Sequence, residues 1–120
     1  MKSVYICHPL RGAEPYSVIR TAMNVEEVTM ICKEVSSMNL YVPVSPIHAF
    51  SFLDPLNGNY DIVKEYCLKL LKTCDEIWIY GKWWKSQGCI DEIIFATDNG
   101  IPMKFIRNKS AAKNDMFGRG

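Results

Sequence analysis

The sequence predicts a small α/β domain, a flavodoxin- or Rossmann-like three-layer sandwich with a four-stranded parallel sheet, order 2-1-3-4, and helices on both faces. Three observations predict it. Short β-branched and aromatic runs alternate with longer segments of helical periodicity. Strands separated by helices require right-handed crossovers, which give parallel pairing and a sheet covered on both sides. The 120 residues, 48% apolar and 22% charged, suffice for one core and not for two. One domain over residues 1–106 is expected, followed by a tail over 107–120.

The elements follow in order. Ser3–Cys7 is a short β-branched and aromatic run, ended by His8-Pro9. Tyr16 to Met38 reads as a long helix. Its expected apolar stripe is Val18, Ala22, Val25, Val28, Cys32 and Val35, at steps of three and four. Asn39 is its stop. Leu40–Val44 is the second strand, and Pro43 inside it argues for a sheet edge, because proline has no N–H to donate. Ser45 to about Asn59 reads as a loop with Pro46, Pro55 and the Asn57-Gly58 turn pair. Asp61 to Thr73 is a helix with Ile62, Val63, Tyr66, Leu70, Leu71 and then Cys74 on its buried side. Glu76–Tyr80 is apolar enough to be a central strand. Gly81–Lys85 is a loop, Ser86 caps a helix running to about Asn99, and Gly100 stops it. Ile101–Ile106 is the last strand.

Composition excludes several classes. A net charge of +1 leaves no footprint for a nucleic acid polymer. The basic residues toward the end, Lys104, Arg107, Lys109, Lys113 and Arg119, are sparse and interrupted by Asp115, and read as a solvated end. No apolar run approaches the roughly 20 residues of a membrane span. The start passes from one lysine straight into a strand, unlike a signal peptide. The five cysteines lie inside apolar patterns and read as reduced thiols, so a cytoplasmic location is expected. The Cys/His spacing suits no zinc module, so no metal and no cofactor is expected. Neither phosphate-loop nor dinucleotide glycine motifs occur.

In parallel sheets of this kind ligands bind beyond the carboxyl ends of the strands, near the point where strand order reverses. That rule selects the loops His8–Glu14, Ser45–Gly58 and Gly81–Gly88. In the first, His8 stands at the strand end, Arg11 can grip an anion with paired hydrogen bonds, and Gly12 permits a tight turn. In the third, Ser86 and Gly88 open a helix whose free N–H groups and dipole favour a phosphate; Ser86 is equally a plain cap. Glu92 lies a quarter-turn from the expected core stripe of Ile90, Ile93, Ile94 and Thr97, beside the small Gly88 and Ala96. It is either a pocket carboxylate or a half-exposed surface residue, whereas Asp91 is expected in solvent. Trp83 and Trp84 sit in an exposed loop that stacks on a base, covers a pocket or forms an interface. His48, with Phe50 and Phe52, lines a pocket mouth or packs the long loop. Cys89 is an activated thiol or a packed small hydrophobe.

Three stretches together resemble the nucleoside 2-deoxyribosyltransferase-like superfamily, and most closely its short phage and bacterial relatives. These are Val4-Tyr5-Ile6-Cys7-His8-Pro9-Leu10-Arg11-Gly12, then Leu70-Leu71-Lys72-Thr73-Cys74-Asp75-Glu76-Ile77-Trp78-Ile79, then Ser86 to Ala96 with Gly100-Ile101-Pro102. The resemblance implies that Glu92 attacks the anomeric carbon of a 2-deoxyribosyl group, forming a glycosyl-enzyme that a base or water resolves. It implies that Ser86 and Gly88 hold a 5′-phosphate and that Arg11 and Gly12 belong to a loop closing over sugar and phosphate. His8, Pro9, His48, Gly81 and Trp83 complete the expected substrate-binding set. A homodimer or higher oligomer is also implied, because relatives complete their pockets with neighbouring subunits.

Two departures are visible. The superfamily's aspartate on the second helix, which holds or protonates the leaving base, falls on Cys67 here. His8 and Pro9 replace small and hydroxyl residues of the glycosidases. Asp54 or His48 are the local substitutes for that acid. The expected function is therefore cleavage or transfer at the N-glycosidic bond of a deoxynucleoside monophosphate or related nucleotide. The alternative is a non-catalytic module that senses or sequesters a nucleotide-derived signal.

Overall fold

A computed structural model of the chain describes residues 1–54 and 58–107. Pro55, the turn position Asn57 and the expected tail from residue 108 onward lie outside the described residues.

Along the first and third strands, side chains alternate between two cores, as the period of two in a strand requires. Val4 and Ile6 of β1 (Lys2–Cys7) and Trp78 and Tyr80 of β3 (Glu76–Tyr80) face α1 (Val18–Ser37), meeting Val28, Ile31 and Val35. Tyr5, Cys7, Ile77 and Ile79 face the other way. There they meet Cys67 and Leu71 of α3 (Tyr60–Lys72) and Cys89 and Ala96 of α4 (Gln87–Asp98). The result is a three-layer sandwich around a four-stranded parallel sheet in the order β2-β1-β3-β4, with β2 at Tyr41–Val44 and β4 at Met103–Ile106. Register pairs Ile6 with Trp78 and Trp78 with Lys104. Pro43 sits on β2, at the sheet edge, where its missing donor removes no ladder bond from a central strand. None of the described helices is long and apolar enough to cross a membrane.

Element limits agree with expectation to within two residues, and the faces of the helices less well. Ser17 caps α1 by accepting from the Arg20 N–H, and Asn39 ends it with φ 57°. The expected stripe fails over the first turns: Val18 and Ala22 are exposed, and Thr21, Val28, Ile31 and Val35 are the buried residues. Polar bonds hold this end of the helix instead. Arg20 donates to the carbonyls of Ala13 and Pro15 at 2.8 and 2.6 Å, and Asn24 to that of Leu10 at 2.8 Å. The segment after β2 is not all loop. Ser45 caps a short helix, α2 (Pro46–Ala49), and proline at its first turn forgoes an N–H that would have had no partner. On α3, Ile62 and Tyr66 are exposed and Cys67 and Leu71 are buried. The loop after β3 contains a 3-10 turn at Trp83–Lys85. The first core stripe expected for α4 is displaced: Ile94 and Thr97 are exposed, and Cys89, Glu92 and Ala96 face inward. The small Cys89 and Ala96 are buried on this face, and Glu92 lies between them in sequence.

Candidate functional site

Beyond the carboxyl ends of the strands lies a cavity of about 340 Å³, within the usual range for small-molecule sites. All three loops selected from the sequence supply part of its wall. His8, Arg11 and Gly12 come from the first, His48 and Phe50 from the second, and Ser86 and Gly88 open α4. Glu92 lines it from one turn deeper in α4. Pro9, Gly81, Trp83 and Phe52 are not in the lining. Gly81, at φ 67°, packs behind His8: a Cβ there would stand 3.3 Å from Pro9 Cδ and 3.7 Å from His8 Nε2. A side chain at Gly81 would therefore press on Pro9 and be strained by the positive φ. Trp83 is half-buried, not exposed, and packs edge-on against Trp84 and tilted against Phe105.

Glu92 is 9% exposed, so the surface alternative fails. The Tyr5 phenol donates to its Oε2 at 2.6 Å. Cys7 and Cys67 stand beside the carboxylate, and their thiols favour its ionised form. Burial pushes the Glu92 carboxyl up to about 7, and nearby Asp91 adds to the rise; the Tyr5 bond and the two thiols restrain it. Tyr5 is itself pushed well above the ordinary tyrosine value, by burial first and the Glu92 charge second. Its phenol is a permanent donor. Tyr5→Phe is expected to move the Glu92 titration to higher pH and to cost roughly 1.5–3 kcal/mol of stability at pH 8. Carbon-13 NMR of labelled glutamate carboxylates reads the first effect and urea unfolding the second. A titration unmoved by the substitution would show that the phenol does not govern Glu92.

Cys67 stands in the cavity wall with its thiol pushed up to about 12, mainly by burial and then by the Glu92 charge, so it is neutral at physiological pH. Cys89 on α4 is buried against the core, the packed alternative of the two expected, and also borders the cavity. Ser86 Oγ accepts from the Cys89 N–H at 3.3 Å, so it caps α4 while also lining the cavity.

At the mouth, the Arg11 guanidinium lies 4.3 Å from the centroid of the Tyr16 ring and 5.7 Å from that of Tyr60. Ring contacts orient the cation without consuming its N–H donors. Gly12 turns the chain beside it with φ 74°. His8 is fixed at both nitrogens, Nδ1 2.7 Å from the Pro9 carbonyl and Nε2 2.7 Å from Glu27 Oε2. His48 is likewise engaged, with Ser45 Oγ at 2.7 Å and Thr29 Oγ1 at 2.8 Å. Asp54 is outside the lining. Asp91 is not in solvent as expected: it lines the cavity, accepts from the Tyr60 phenol and from Gln87 at 2.9 Å, and pairs with Lys64 at 3.6 Å. Burial, then the bond to Asp91, raises the Tyr60 phenol above its ordinary value. Thr21 Oγ1 is the one buried side-chain polar atom without a hydrogen-bond partner among the described residues, and Thr21 is in the cavity wall.

Sequence reasoning missed Tyr5, Cys7, Tyr16, Tyr60 and Thr21. Tyr5 carried one usable signal: an inward strand position one residue from those facing the other core, on the strand that ends at His8.

A sequence profile described as "Domain of unknown function (DUF7768)" matches residues 2–106. No curated protein matches the sequence. Among solved structures, the chain is similar to "2-desoxiribosyltransferase from Leishmania mexicana" with a TM-score of 0.55 and 15% identity, over 91% of this chain. It spans 66% of that structure's chain, just under two thirds. At this identity the likeness is one of fold, and it agrees with the sheet order and the Rossmann-like layering.

Proposed function

From a chain that belongs to the family described as a domain of unknown function (DUF7768), we infer an enzyme that breaks or transfers the N-glycosidic bond of a deoxynucleoside monophosphate or related nucleotide, with Glu92 as nucleophile. The observation that carries this reading is a buried carboxylate in the wall of a small-molecule-sized cavity, oriented by a phenol at 2.6 Å. The fold likeness to a protein titled 2-desoxiribosyltransferase supports it.

In this reading Arg11 and the start of α4 at Ser86 and Gly88 hold the 5′-phosphate, which fits the Arg11 guanidinium and the helix N-terminus. A Glu92 oxygen bonds to C1′ as the C1′–N bond breaks. The electron pair goes to the base nitrogen, which takes up a proton from water. Water or a second base then displaces the carboxylate from C1′. Thr21 Oγ1, otherwise unpartnered, offers a donor and an acceptor to the ligand.

The test is incubation with each deoxynucleoside monophosphate and chromatography for free base. Wild type should release base, and Glu92→Ala should release none. Since attack needs the ionised carboxylate, the rate should rise with pH through about 7 and level off above it. Release by Glu92→Ala at the wild-type rate would remove Glu92 from the role.

One observation favours a second reading. Cys67 presents a neutral thiol to the cavity where the superfamily carries an aspartate, so help for the departing base is weak. A binding module would give a large thermal shift with a nucleotide recovered intact.

A further inference from the structure

We propose that Cys7, Cys89 and Glu92 form a site for one thiophilic divalent cation, Zn²⁺ or Cd²⁺, whose occupancy holds the cavity in an inactive state. The two thiols and a carboxylate oxygen lie within 4.8 Å of one another. A tetrahedral zinc ion bonds sulfur at about 2.3 Å and carboxylate oxygen at about 2.0–2.2 Å. Such donors are spaced by roughly 3.5–4 Å around the ion, so side-chain adjustments of about an ångström suffice.

The donors sit on rigid elements. Cys7 ends β1, and Cys89 and Glu92 occupy one face of α4 three residues apart. Cys7 is 0% and Cys89 2% exposed, so competing water is scarce at the sulfurs. Two sulfurs and one oxygen select a borderline-soft cation over Mg²⁺ or Ca²⁺. Cys89 and Glu92 line the cavity, which provides a route of entry and leaves a fourth position open on the cavity side. Binding releases the thiol protons and engages the Glu92 oxygen. An engaged Glu92 cannot attack a sugar carbon. That inhibitory consequence rests on the proposed nucleophile; the binding itself does not.

Equilibrium dialysis of the reduced full chain against Cd²⁺ tests the site, with ultraviolet absorbance to detect cadmium–thiolate bonds. One Cd²⁺ per chain is expected, with an absorbance increment appropriate to two thiolates, and Zn²⁺ should displace it. Cys7→Ser and Cys89→Ser should each weaken binding by at least an order of magnitude, and Glu92→Gln should weaken it while leaving the absorbance band. Cys32→Ser, which alters a residue on the opposite side of the sheet, should bind as wild type. Circular dichroism checks that the serine variants fold. Absence of saturable binding, or binding unaffected by both Cys7→Ser and Cys89→Ser, would overturn the site. Base release by metal-free protein is a separate readout: its absence counts against the nucleophile reading and leaves the metal result standing.

Discussion

At pH 8 Glu92→Gln should melt several degrees above the parent chain, and the difference should shrink as the pH falls toward 5. The folded carboxyl titrates at about 7 against an ordinary value of 4.5. A carboxyl raised by folding contributes stability that is fully present below about 4.5 and is lost as pH rises through about 7. The interval corresponds to a cost on the order of 3 kcal/mol for the buried charge at pH 8. Glutamine has the same shape and no charge, and its carbonyl still accepts from Tyr5. Its amide group meets sulfur from Cys7 and Cys67, weak acceptors that offset part of the gain. A net increase of about 1–3 kcal/mol is expected, which at this chain length is several degrees. Calorimetry from pH 5 to 8.5 measures it. A variant no more stable than the parent at pH 8, or equally shifted at both ends of the range, would contradict a buried Glu92 charge. The same substitution should abolish base release, so stability and activity move in opposite directions, as strained functional groups generally require.

Trp78→Ala should cost about 3–5 kcal/mol, the range for truncating a buried large aromatic. Trp78 is almost fully buried in the middle of β3 and stacks edge-on against Tyr41 with ring centroids 4.9 Å apart. Its indole N–H donates to Glu76 at 2.9 Å, and Lys104 Nζ lies 5.1 Å from the ring centroid. It therefore joins β2, β3 and β4 on the α1 side, and the rigid sheet leaves little scope for collapse into the void. A domain of this size has roughly 5–15 kcal/mol in total, so the variant approaches the threshold of folding. The urea midpoint should fall with an unchanged slope. A loss under about 1.5 kcal/mol would mean that the α1 core is looser than its burial implies.

Strand order and sheet edges were legible because they depend on local chemistry: the β-branched runs, the intervening helical lengths and the proline at position 43. Glu76–Tyr80 was read with its observed limits, since a fully buried strand is an apolar run whichever way it faces. Glu92 was legible as a candidate only, since its neighbours Gly88 and Ala96 are small. The helix faces were less legible. Periodicity ranks residues by apolarity and so placed Ile94 inside. The packed face of α4 instead carries Cys89, Glu92 and Ala96, so Glu92 lies in the interior and Ile94 outside.

What the sequence by itself determined is thus the frame: four parallel strands, their order, and three loops gathered at one end. The tertiary structure alone decided what surrounds the carboxylate beside that end. Tyr5, Cys7 and Cys67 reach Glu92 from β1 and α3, and Tyr16 and Tyr60 meet at Arg11. The physical reason is separation along the chain. Short-range pattern reports which residues share an element, whereas burial, hydrogen bonding and the raised Glu92 carboxyl arise between elements that only packing brings together.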